Sequence, residues 1–421
     1  MKLLLFMYIF MFPIGENSQL FRSNYIVGGI LLLYLVFNSR YRAKIKSLFK
    51  QVPILKLELF LLLIIIYSFI IPTLLATYDY SIISTLINTF VNLIIGTLVF
   101  GLYSFKGLKS RLERDLVYVF VIQGYIQFLS FLSPTINTFF NNFRLEMVIE
   151  RGQLGYGGIR GLSISGSPFF GLGIAYGLII IYFMANWKKL FPGNTFFKTI
   201  SFLVVLFGAN SAARTSMIGL AIGTGYIILS KIKESNYQIS LTSSFSIKRL
   251  ILFCFIIILL LIGIPFIPNN PSNFNNVNDM FERFSSFAFE GIMNLSDSGS
   301  ISTNSTEVLF GRMYFPVSAS TYIFGDGKYT TSVGTYYMST DAGYMRNILF
   351  FGIIGLILLI IYETNFFNWK NKNNLVLNLF ILSYILIVHI KGEALGYSIM
   401  LHNVLIISYL LTLDFEYLFD G

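Results

Sequence analysis

Charge is what this sequence has least of. Only 12% of its 421 residues are Asp, Glu, Lys or Arg, about half the share of a soluble globular domain, while 55% are hydrophobic. So few charged groups cannot cover a folded surface in water, which excludes an ordinary soluble enzyme or binding module. The single cysteine, Cys254, excludes an internal disulfide and any CxxC metal or redox pair; it sits in an apolar run and reads as a packing residue. With two histidines there is no HExxH zinc site, and there is no Walker loop and no GxGxxG after a strand. ATP-driven pumping and zinc chemistry therefore have no support, and no cofactor or metal is expected. No internal repeat is visible, which disfavours transporters built from two detectable halves.

What is present is a series of apolar runs matched to the roughly 20 residues a helix needs to cross a bilayer. They fall near residues 3–14, 24–37, 57–76, 83–103, 115–133, 167–185, 199–210, 213–230, 250–267, 343–362, 374–390 and 395–413. Spanning segments must be helical here, because backbone in lipid satisfies its polar groups internally. The start resembles a signal peptide, Lys2 followed by an apolar run, but no small-x-small cleavage site follows, so it reads as a short first helix. The expected fold is an all-α polytopic membrane protein of about 12 transmembrane helices, one membrane domain over 1–421.

Basic residues fix the expected orientation. Lys2, the Arg40–Lys50 stretch, Lys106–Arg114, Lys188 to Lys198, Lys231 to Arg249 and Lys370 with Lys372 all fall on one side, which places both termini in the cytoplasm. The net charge of +10 thus reflects cytoplasmic loops, and no nucleic-acid partner is expected. The opposite face keeps two lysines (Lys328 and Lys391) but eight arginines. Topology signals do not distinguish Lys from Arg, so this bias suggests recognition of phosphate or carboxylate by guanidinium groups. Two segments on that face are long: an outer loop at 134–166 and a periplasmic loop at 268–342. The second carries seven acids against Arg283, Arg312 and Lys328, and residues 278–294 have helical apolar spacing that predicts an interfacial helix.

Four constellations could carry chemistry. Arg151 and Arg160 sit with Arg144 in the glycine-rich approach to a span, either as anchors or as a diphosphate cradle. Arg214 lies where two short apolar runs meet among small residues, either snorkelling or facing a polar cavity. Asp341 and Arg346 bracket the start of a span, as a local bridge or as a base and an anion binder. Gly352 and Gly355 follow at helix-packing spacing. His389, Lys391 and Glu393 share a short outer turn, with His402 in the next span; a histidine in a helix is more often a satisfied core residue.

At these segments the chain resembles the Wzy-type polymerases of O-antigen and capsule assembly, within the O-antigen polymerase/ligase superfamily. The shared features are Arg160, Gly161 and Pro168 ahead of a span, Ser211 and Arg214 in a small-rich turn, and Asp341, Gly343, Tyr344, Gly352 and Gly355 after a long outer loop. The ligase branch typically has a histidine in that loop, and 268–342 has none. The resemblance implies a metal-independent glycosyltransferase in the bacterial inner membrane. Its partners would be an undecaprenyl-diphosphate-linked oligosaccharide, membrane lipid and a chain-length regulator protein. Under that implication Arg151, Arg160, Arg214, Arg312, Arg346, Lys391 and Tyr344 bind diphosphate or substrate, and Asp341, Glu393 or His389 supplies the base. Tyr156, Tyr336 and Tyr337 are further candidates for stacking on sugars. A flippase for the lipid-linked unit, or a ligase, is the alternative.

Overall fold

The computed structural model describes residues 1–15, 21–156, 158–190, 195–235, 304–372 and 374–413. The run at 250–267, Cys254, Arg283, the helix expected over 278–294 and the side chain of Tyr156 lie outside the described residues. The described chain is helical, with no strand among the described residues. In order it forms α1 (Lys2–Phe10), α2 (Ser23–Phe37), α3 (Ser39–Phe49), α4 (Val52–Leu74), α5 (Ser81–Phe105), α6 (Lys109–Leu132), α7 (Pro134–Asn141), α8 (Glu146–Tyr156), α9 (Phe170–Ala185), α10 (Trp187–Leu190), α11 (Thr195–Ala212) and α12 (Met217–Ser235). After residue 303 come α13 (Asn304–Val308), α14 (Ala319–Phe324), α15 (Gly343–Thr364), α16 (Leu375–His389) and α17 (Ile399–Thr412).

Five of these, α4, α5, α6, α11 and α15, are long and apolar enough to cross a membrane, and α2, α9, α16 and α17 are shorter apolar helices. The protein is membrane-embedded. Several lysines sit at one end of the bundle, where Lys2 meets Asp115 at 3.7 Å and Lys189 pairs with Glu113, and we refer to it as the lysine end. The other end holds the starts of α9 and α15, and we refer to it as the arginine end.

The basic stretch after α2 is itself a helix. Asn38 caps α3 by accepting the Tyr41 N–H at 2.9 Å, and Tyr41, Ile45 and Leu48 form a buried stripe while Arg40, Arg42 and Lys46 face outward. This is an amphipathic helix suited to lie along an interface.

Two features depart from regular spanning helices. First, α1 stops early: Met11 turns left-handed (φ 47°), and the Phe10 carbonyl accepts the Gly166 N–H at 2.8 Å. The stretch 158–169, read above partly as an outer loop, therefore reaches inward. Gln123 Nε2 donates to the Ile164 carbonyl at 3.0 Å, and at 1.5 Å per residue Gln123 lies about 13 Å below the Leu132 end of α6. Irregular backbone at that depth persists only where protein or a polar cavity surrounds it.

Second, Gly352 does not simply pack; it breaks α15 (φ 66°, ψ −174°). A Cβ there would lie 2.2 Å from the Ile323 carbonyl oxygen, and one on Gly325 (φ +80°) would lie 2.4 Å from that of Phe350. The two glycines let α14 seat on the break. The carbonyls that the break releases are taken up, Leu349 by the Asp326 N–H at 2.6 Å and Phe351 by the Tyr67 hydroxyl at 3.2 Å.

Candidate functional site

The RG stretch and the small-rich turn converge. Arg160 Nε donates to the Ala212 carbonyl at 2.9 Å, and Ser211 Oγ donates to the Ile159 carbonyl at 2.9 Å. The guanidinium carbons of Arg151 and Arg160 lie 5.1 and 5.3 Å from the Phe169 ring centre. Arg214 follows in a 3-10 turn, Arg214–Ser216, between α11 and α12 and is half-buried. The hydroxyls of Ser163 and Ser216 and Asn210 Oδ1 are buried and take no hydrogen bond from the described chain. Buried groups of this kind mark places where solvent or ligand supplies the partner.

Arg144 does not join this group. Arg144 is 7% exposed, and its guanidinium donates to Asn137, Asn141, Ser130 and the carbonyls of Ser163 and Leu162. Burial pulls its pKa down to about 10. It is a clamp that fastens the α7–α8 corner to the inward stretch.

A second group forms at the start of α15. Arg346 Nε lies 3.2 Å from Glu393 Oε1, and the guanidinium is sandwiched between the rings of Tyr329 (4.0 Å) and Tyr336 (3.6 Å). Glu393 also accepts hydrogen bonds from the hydroxyls of Tyr329 and, at 3.1 Å, Tyr397. Burial pushes the Glu393 carboxyl above the ordinary carboxylate range, against the opposing pull of Arg346 and the two hydroxyls. Arg346 Nη2 is buried without a hydrogen bond from the described chain.

The acid paired with Arg346 is thus Glu393, not its near neighbour Asp341. Asp341 is exposed and acts on Glu393 only as a repelling charge. His389 is fully buried, and its Nδ1 accepts the N–H groups of Ala394 (3.0 Å) and Leu395 (3.3 Å). Its hydrogen therefore resides on Nε2 and is donated to the Asn347 side-chain oxygen at 2.9 Å, the amide being turned so that its NH2 faces Tyr397. Asn347 in turn meets the Tyr397 hydroxyl. His389 positions the loop and, through Asn347 and Tyr397, the Glu393 carboxylate; both nitrogens are engaged within the chain. Tyr344 packs edge-on against His389 at 4.6 Å and donates to the Leu386 carbonyl at 2.9 Å, so its hydroxyl is a structural tie.

Arg312 is exposed on a π-helical turn, Leu309–Met313; Tyr314 just beyond donates to the Ile390 carbonyl at 2.7 Å and brings that turn over the 390–398 connection. Lys391 is half-buried on the same connection.

Adjacent residues join the two groups. Phe169 carries Arg151 and Arg160, while the ring of Phe170 packs on Gly392, where a Cβ would lie 2.9 Å away. Asp79 braces the tyrosine-bearing segment by accepting the N–H groups of Tyr329 (2.6 Å) and Thr330 (2.8 Å). A cavity of about 680 Å³ opens instead among Lys109, Glu113, Lys189, Asn368 and Asn378 at the lysine end, away from both arginine groups.

Sequence reasoning missed Tyr329, Tyr397, Asn347 and Asp79. Tyr397 stands four residues after Glu393, a local signal; Tyr329 and Asp79 come from distant segments and gave none. Comparison with known proteins returned nothing: no family model, no curated protein and no solved structure matches the chain.

Proposed function

We propose that this protein is a repeat-unit polymerase that joins undecaprenyl-diphosphate-linked oligosaccharides into a surface polysaccharide. The observation that carries the reading is the enclosed Arg346–Glu393 pair, set beside the Arg151–Arg160–Arg214 group at one end of a membrane bundle. Such an arrangement offers cations for a leaving diphosphate and a carboxylate for an acceptor hydroxyl. In this reading there are twelve spans with both termini cytoplasmic in the inner membrane. The arginine end and the 268–342 loop then face the periplasm, and a chain-length regulator acts on the product.

The chemistry balances without a metal. The acceptor hydroxyl oxygen attacks the donor's anomeric carbon, and the bond from that carbon to the diphosphate oxygen breaks. Its electron pair leaves on the diphosphate, where Arg160 and Arg214 offset the charge with Arg151, Arg312 and Lys391 nearby. The hydroxyl proton passes to Glu393, which Tyr329 and Tyr397 hold in place. Glu393 takes precedence over Asp341 and His389 as base because it alone combines enclosure with raised proton affinity.

The test is a size profile of surface glycan from cells with and without the gene. A ladder that collapses to one carrier-attached repeat supports polymerisation, and Arg214→Ala should reproduce it with membrane insertion intact. Loss of all attached glycan would point to flipping or ligation and overturn the assignment.

A further inference from the structure

One buried ionisable pair lies outside the machinery described so far. Glu363, in the last turn of α15, is 0% exposed, and His402, in the first turn of α17, is 4% exposed. Ionisable groups inside a membrane protein are rare and mark ion or proton sites when they pair.

The geometry fixes the proton count. His402 Nδ1 lies 2.9 Å from the Ser398 carbonyl, which only accepts, so Nδ1 carries a hydrogen. Nε2 lies 3.0 Å from Glu363 Oε2, which also accepts the Gly396 N–H at 3.3 Å. With no proton between them, an imidazole lone pair faces a buried carboxylate. With one proton the contact is imidazolium with carboxylate, or imidazole with carboxylic acid, and both forms are neutral overall. The titratable neighbours are tyrosines: Tyr362 of α15, stacked on His402 at 5.9 Å, and Tyr8 of α1, which acts on Tyr362. Phe366 covers another ring edge at 5.4 Å. Glu363 Oε1 and the Tyr362 hydroxyl are both buried without a hydrogen bond from the described chain, a second sign that this is a built polar site.

We propose that Glu363 and His402 form an intramembrane proton-binding site that holds one proton between Oε2 and Nε2. Through Gly396 and Ser398 the site ties down the 390–398 connection. That connection carries Glu393 and Tyr397, so proton loss here loosens the arginine-end site.

The chain has only two histidines, which makes the test direct. The full chain is labelled with ¹⁵N-histidine in lipid bilayers and examined by solid-state NMR. Infrared spectroscopy follows the carboxyl band, and His389→Gln assigns the remaining ring. The expected result is a protonated Nδ1 throughout and one proton at Nε2 or on the carboxyl, lost in a single step as pH rises. Amide exchange of 394–397, corrected for its intrinsic pH dependence, should rise over the same interval, and Glu363→Gln should abolish both responses. A ring and carboxyl carrying no shared proton at neutral pH would overturn the site. A titrating ring with unchanged exchange would overturn its coupling to the connection. If Glu363→Gln does not fold, the wild-type spectra and exchange decide between the same outcomes. No readout depends on glycan, so failure here is distinct from failure of the polymerase reading.

Discussion

Glu393 and Arg346 meet at 3.2 Å although one lies in the connection before α17 and the other in the first turn of α15. Three tyrosines close around them, Tyr329 and Tyr336 from the segment before α15 and Tyr397 from Glu393's own connection. The pair is enclosed, so its contribution separates into a charge that must be balanced and a carboxylate that can react.

Removing one partner exposes the first part. Arg346→Met should leave Glu393 buried without its counter-charge and cost roughly 3–5 kcal/mol. Arg346→Met combined with Glu393→Gln should regain much of that loss without regaining polymer. Thermal unfolding in detergent and the glycan ladder, measured on the same variants, separate the two effects.

Glu393→Gln isolates the second part. Under the proposed function, in which Glu393 is the general base, its loss is expected to lower polymer formation by about 10²–10⁴-fold. Because Glu393 titrates above the ordinary carboxylate range and the base must be deprotonated, wild-type turnover should fall as pH drops through that raised pKa. A rate indifferent to mildly acidic pH would remove Glu393 from the role.

Asp79 carries a pH-dependent share of stability. Burial raises its pKa, but hydrogen bonds from Ser81, Thr330 and Tyr329 outweigh this and leave it below the model-compound value. A depressed folded-state pKa means the stabilisation is present above the unfolded value and is lost as pH falls through the folded one. Asp79→Asn should flatten the acid limb of a stability–pH curve and loosen the Tyr329 segment; an unchanged acid limb would contradict the bracing role.

Arg144 should behave as a structural residue. Arg144→Lys keeps the charge but loses the planar fork that reaches five partners, leaving buried carbonyls at Leu162 and Ser163 short of donors. The expected outcome is a drop of several °C in the detergent melting temperature, with residual glycan loss proportional to lost protein.

Gly352→Ala tests the break in α15. The new Cβ meets the Ile323 carbonyl oxygen at 2.2 Å in a left-handed backbone, so destabilisation of more than about 1 kcal/mol is expected. Gly311→Ala, at a position with open space for a Cβ, serves as the control and should be neutral.

Much of the architecture was legible in the residues. Each apolar run within the described residues coincides with a helix, because hydropathy over some 20 residues reports a requirement of the solvent, not of any neighbour. Departures occur where neighbours override the run. The first helix ends at Phe10 because its carbonyl serves Gly166. The last begins at Ile399, not 395, because the backbone before it turns to serve His389 and Glu363. The arginines were legible as a class, but their roles were not. Arg144 and Arg160 are both arginines near glycines and small residues, yet Arg144 is consumed by the scaffold and Arg160 stays half-buried against Phe169.

By itself the sequence determined the solvent, the helical class and the arginine-rich face, since each follows from composition or local spacing. Only the tertiary structure decided which acid meets Arg346, which histidine holds a carboxylate, and which arginine is spent on packing. Those outcomes depend on where a broken helix, the inward stretch 158–169 and the 390–398 connection bring distant side chains, at distances of a few ångströms that no local pattern encodes.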